Sequence, residues 1–158
     1  MISTPPHPWL LLFPATYLVH ILEEYYAGEG FPEWIGRISR VTLSKAQFLL
    51  INASLWVAML AVTLTVRRVS TGGCLIVALG VIVALNGAGH LAGTISTRTY
   101  SPGLISGLVL WVPLGIYTCS RVMLLLSPLQ ILAGVAAGIG LQGIVSLIAL
   151  AVGRRANE

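Results

Sequence analysis

The chain has 158 residues, of which 56% are hydrophobic and only 9% charged, and its mean hydropathy is +0.91. A soluble domain carries roughly a quarter charged residues, so this composition excludes one and leaves an integral membrane protein. The net charge of +4 does not point to nucleic acid, because the nine Lys and Arg are scattered between apolar runs and form no patch; they read as topology signals and anchors for lipid headgroups.

At about 20 apolar residues per crossing, the length holds about five spans and no soluble domain. The expected fold is an all-α integral membrane helical bundle, with residues 1–158 as a single transmembrane domain and spans at about 9–27, 45–66, 71–96, 102–122 and 129–152. Met1 to Pro8 is polar and proline-rich without a basic leader, so the first apolar run is expected to be retained and not cleaved as a signal peptide. That first span is the weak one. Its uncharged stretch, Pro8 to Leu22, is short and contains Pro14, expected to kink it. The eight Leu, Ile, Phe and Val residues between Leu10 and Leu22 favour insertion by roughly 2–5 kcal/mol, while each mid-bilayer acid opposes it by roughly 2.5–3.5 kcal/mol. Glu23 and Glu24 must therefore lie near the interface, face other helices, be protonated or bind something.

Between Gly28 and Ser44, aromatic and aliphatic residues alternate with charges, which predicts a short interfacial helix with Trp34 as a membrane-surface anchor. The face holding this link, the third link and the C-terminus carries Arg37, Arg40, Lys45, Arg98, Arg154 and Arg155, against Arg67, Arg68 and Arg121 on the other. The positive-inside rule then places the C-terminus in the cytoplasm and the N-terminus outside, and the expected location is a bacterial inner membrane. Gly89 and Gly93, Gly103 and Gly107, and Gly134 and Gly138 are small-x-x-x-small pairs, which fit close helix packing or a homo-oligomer. Gln130 and Gln142 are expected to bond across helices. Cys74 and Cys119, in different runs, read as packing residues.

The chemistry-bearing residues fall at one depth. His20 precedes Glu23 and Glu24 by three and four positions, so a helix turns all three toward one side. Asn86 and His90 repeat the i, i+4 spacing on span 3, and span 2 adds Asn52. At about 1.5 Å per residue, His20 lies about 10 Å before the end of span 1, Asn52 about 10 Å after the start of span 2, and His90 about 9 Å before the end of span 3. All three distances run from the same face. The third link reaches that level with Tyr100-Ser101-Pro102-Gly103. Ser101 reads as an N-cap and Pro102 as the first helical residue, leaving free N–H groups that suit an anionic or carbonyl group of a substrate, with Tyr100 as a proton donor. His7, in the proline-rich head on the other face, is set aside.

Three motifs in this order, His20-Ile21-Leu22-Glu23-Glu24, Asn86-Gly87-Ala88-Gly89-His90 and Tyr100-Ser101-Pro102-Gly103, resemble the HXXEE domain family of small multi-pass membrane proteins. The resemblance runs from His20 to Gly103 and implies a site without naming its reaction.

Several chemistries fit these residues. His20, His90 and a carboxylate of Glu23 or Glu24 make the two-His, one-carboxylate set that holds a single divalent ion, iron or zinc, with open positions. Two glutamates are too few for the usual dinuclear carboxylate site. Without a metal, His20, Glu23, Glu24, His90 and Tyr100 are acid–base groups for an isomerase or cyclase of isoprenoid-like substrates. A proton- or cation-coupled transporter or an accessory membrane subunit is a third option, and the same groups can simply pair to fix helix packing. The leading expectation is an enzyme acting on a hydrophobic small molecule or lipid, with Asn52, Asn86, Tyr100 and Gly103 contacting substrate and membrane lipids as surroundings.

Overall fold

The computed structural model describes residues 8–66 and 69–155. His7, Arg67 and Arg68 lie outside them, as do the side chains of Arg154 and Arg155. The described residues are helical throughout with short links: a 3-10 turn Pro8–Leu11 leading into α1 (Leu12–Tyr26), then α2 (Phe31–Ser39), α3 (Lys45–Thr65), α4 (Val69–Thr97), α5 (Leu104–Ser106), a π-helical turn Gly107–Trp111, α6 (Val112–Val122), a 3-10 turn Met123–Leu125, and α7 (Pro128–Arg155).

Four stretches, Lys45–Thr65, Gly72–Thr97, Leu104–Leu125 and Pro128–Gly153, are long and apolar enough to cross a membrane. The protein is therefore a membrane helical bundle. The first apolar run falls short of that standard, for α1 has 15 residues, about 22 Å of helix against about 30 Å of hydrocarbon. Pro14 does not kink its middle. It falls in the first turn of α1, just after the 3-10 segment, where a missing N–H breaks no established helix ladder, and its carbonyl accepts the Trp56 indole N–H at 2.9 Å.

α4 is the central helix, with α6 and α7 packed along it. Close approach is made by glycine. An added Cβ at Gly134 would sit 2.7 Å from the Cys74 carbonyl, one at Gly138 2.7 Å from Val81, and one at Gly87 2.6 Å from the Gly107 carbonyl. Much of the small-residue pattern is thus used inside one chain, although among the described residues nothing lies within 4 Å of a Cβ added at Gly89. Gln130 is engaged at the start of its own helix, accepting from the Ser127 N–H at 3.0 Å. Cys74 and Cys119 are free and half-buried.

The expected interfacial helix is α2, with Pro32 in its first turn and Arg40 closing it in the left-handed region at φ 57°. Trp34, however, is no lipid-facing anchor. It is 4% exposed, its indole N–H reaches Thr99 Oγ1 at 3.2 Å, and its ring fills the notch left by Gly93. The absence of a side chain on α4 makes a better socket for the indole than the membrane surface. At the same end the Thr42 N–H donates to the Gly153 carbonyl at 3.2 Å, so the first link, the third link and the end of α7 meet on one face, as the depth argument required.

Candidate functional site

α1 presents His20 and Glu24 inward, and α4 brings His90 against them. All three are buried, at 1%, 4% and 5% exposure. Glu24 Oε1 stands 3.6 Å from His20 Nε2 and 3.3 Å from His90 Nε2, and one potential ligand atom from each residue lies within 4.8 Å of the others. Bonds of about 2.0–2.2 Å to one ion put neighbouring ligand atoms roughly 3–3.5 Å apart; Glu24 Oε1 stands near that separation from both Nε2 atoms.

Both rings are fixed from behind. His20 Nδ1 meets Ser106 Oγ at 2.7 Å, and His90 Nδ1 meets Ser101 Oγ at 2.9 Å. The Ser106 hydroxyl also faces the Glu23 carboxylate. A carboxylate only accepts, so in the tautomer where this hydroxyl donates to Glu23 it accepts from Nδ1–H, and the lone pair of His20 is then on Nε2. That Nε2 is buried without a hydrogen-bond partner. Ligating histidines are characteristically oriented by such an outer hydrogen bond. His20 also stacks on Trp111, with ring centroids 3.8 Å apart and planes 26° apart.

Glu23, adjacent in sequence, takes a different task. Its Oε2 accepts the Ser106 N–H at 2.6 Å and its Oε1 the Ile105 N–H at 2.8 Å, and the Tyr100 hydroxyl donates to the same Oε1. The start of the third long stretch, Leu104–Leu125, therefore does bind an anion, but that anion is the protein's own. The helix also begins later than expected: Gly103, at φ 100°, is its N-cap and Leu104 its first residue, while Ser101 turns to His90. Of the two candidate acids, Glu24 is the one that joins His20 and His90. Burial, and then the bond to Glu23, hold the Tyr100 hydroxyl above its ordinary pKa, so it remains a proton donor toward Glu23 across the physiological range.

Gly103 closes one side of the cluster. A Cβ there would sit 2.7 Å from His90 Cε1 and 2.9 Å from His20 Cε1. Asn52 lies one layer away, accepting from the Tyr17 hydroxyl at 2.9 Å and donating to the Phe48 carbonyl, and does not touch the histidines. Asn86 lies on the wall of an adjoining cavity of about 280 Å3 that His20 and Glu24 also line. Sequence reasoning missed the parts played by Ser106 and Trp111, and read Ser101 only as a helix cap. The available hint was a lone serine in the opening turn of an otherwise apolar span.

A membrane helical bundle with a buried His–Glu–His cluster, anchored by serines and bounded by a glycine, defines the class of protein. The family model described as "Protein of unknown function with HXXEE motif" matches residues 11–118, and the chain belongs to that family. No curated protein and no solved structure matches it.

Proposed function

We propose that the protein is a membrane-embedded enzyme that acts on a hydrophobic small molecule or lipid, with a single divalent ion, iron or zinc, held by His20, Glu24 and His90. The observation that carries this reading is the buried Nε2 of His20, which makes no hydrogen bond and only a 3.6 Å approach to Glu24 Oε1, on a ring whose other nitrogen is engaged by Ser106. A buried imidazole nitrogen without a hydrogen bond is destabilising unless something fills its lone pair. A bound ion there would act as a Lewis acid, polarising an oxygen of the substrate. The chain supplies the rest: Ser101 and Ser106 hold the ring orientations, Gly103 keeps the space beside the rings clear, and Trp111 and the surrounding apolar walls exclude water.

A second reading has a specific support. Tyr100, Glu23, Ser106 and His20 are linked in turn from the loop to the cluster, Glu23 accepting from the Tyr100 hydroxyl and the Ser106 N–H and the Ser106 hydroxyl meeting His20 Nδ1, which suits a metal-free acid–base isomerase or cyclase moving protons at His20 and Glu24. Metal analysis separates the two. Stoichiometric iron or zinc in the purified protein, lost in both His20→Ala and His90→Ala, is the expected result; native protein free of metal after expression in metal-replete medium sinks the first reading. The charge distribution of the links supports a cytoplasmic C-terminus, an outside N-terminus and a bacterial inner membrane, which cysteine labelling of the termini in intact cells would test.

A further inference from the structure

Resting on the reading of the cluster as a lipid-directed site, the geometry points to a substrate class: a single-chain lipid of about a dozen carbons with an uncharged head that hydrogen-bonds Asn86 and Trp111, its tail lying between α3 and α7. α3 leans on α1 and meets α4 and α7 at few positions, and the cavity fills the gap. On the α3 side its wall runs from Phe48 to Val62, 14 residues or about 21 Å of helix, so the space is long and narrow. A cavity of roughly 150 Å3 accepts a benzene ring; the 280 Å3 here accept about twice that content.

The lining is mostly apolar, with Leu55, Met59 and Val62 on α3 and Val145 and Ala149 on α7; its polar positions are His20, Glu24 and Asn86, with Asn52 on α3 and Gln142 and Ser146 on α7. Near the head, Asn86 Oδ1 and the indole Nε1 of Trp111 are buried without partners, and Trp111 is 2% exposed. A head that both donates and accepts, such as an alcohol, satisfies an amide and an indole N–H together. The described lining contains no Lys or Arg to pair with a charged head, whereas the two unpartnered groups are neutral and suit an uncharged one. Two acyl chains would exceed the volume.

The test is photolabelling of the purified full chain in lipid nanodiscs with a dodecan-1-ol carrying a diazirine near its tail and a terminal alkyne, mapped by mass spectrometry. Labelling is expected on Leu55 to Val62 and Leu141 to Ala149, competed by unlabelled dodecan-1-ol, and reduced at least fivefold by Ala58→Phe and independently by Ala149→Phe. Asn86→Leu should raise the dodecanol concentration for half-competition about tenfold while leaving that for dodecane within twofold. Labelling concentrated on the outward residues Leu50, Val57 and Leu64, indifferent to competitor and to both blocking variants, overturns the channel; equal effects of Asn86→Leu on alcohol and alkane overturn the head assignment. Metal content of the same samples keeps the two proposals apart. Competed labelling in metal-free protein leaves the channel standing while the metal fails, and metal-loaded protein without competed labelling does the reverse.

Discussion

The end of the bundle that carries His20, Glu24 and His90 and the seam between α3 and α7 are built by opposite rules. At the first, side chains from different elements hold one another: serines hold the histidines, Glu23 holds the start of α5, and Trp34 plugs α4 at Gly93. At the second, two long apolar helices hardly touch, and large side chains such as Leu50, Leu64, Leu129 and Leu147 face outward. In lipid such a seam loses little by being open, because acyl chains replace side-chain contacts at almost equal free energy. Under the proposed reading, a fixed head beside an open seam would keep the reactive groups in place while a hydrophobic molecule entered sideways from the membrane.

The contrast breaks most severely at Gly103. Gly103→Ala places a side chain against both histidines at a positive φ, and is expected to destabilise the protein by roughly 2–3 kcal/mol and to abolish metal binding, read by thermal unfolding in detergent and by metal analysis. The adjacent glutamates should then separate cleanly. Glu23→Gln weakens charge-assisted bonds to two backbone N–H groups and Tyr100 and should cost about 1.5–3 kcal/mol. Glu24→Gln, compared in metal-free protein, should change stability by less than about 1 kcal/mol, since it removes a buried charge together with the need to pair it. If Glu24→Gln is the more destabilising of the two, the division between an architectural and a chemical glutamate is wrong.

Ser106→Ala sharpens the same comparison by loosening one ring while leaving the ligands in place. Metal affinity should fall about 10–100-fold, measured by chelator competition, with the helical content unchanged. The smallest effect is expected on the exposed rim, where Arg37 hydrogen-bonds Glu29 and lowers its pKa. A depressed carboxyl stabilises the fold above its unfolded pKa, near 4.3, and the benefit disappears as pH falls through the folded value. Glu29→Gln should therefore flatten only the acid limb of the stability profile, slightly, and leave metal content untouched.

Much of this was legible from the sequence. The i, i+4 spacing of His20 and Glu24, the repeat at Asn86 and His90, and equal depth from one face were enough to predict that these groups meet, because helix rise and periodicity are local properties. The choice between Glu23 and Glu24 was not. They differ by about 100° around the helix, and the spacing alone turns both toward one side; what separates them is where the first N–H groups of α5 fall, which depends on how the third link folds. Trp34 was misread for a related reason. An aromatic residue near a membrane surface suits an interfacial belt, but Gly93 on another helix offers a socket that only the assembled bundle creates.

The π-helical turn at Gly107–Trp111 has a consequence for how one span serves two neighbourhoods. The Val112 N–H reaches back to the Gly107 carbonyl, five residues away, so the helix takes in one residue more than its hydrogen-bond ladder would otherwise count. It acts as a phase shifter, turning everything beyond it by about 100° relative to the segment before. The upstream part can thus answer to Glu23 and His20 while the downstream part fits the surface of α4, and the change of heading is made without opening the backbone to lipid. Trp111, at the edge of that shift, is the residue swung against His20.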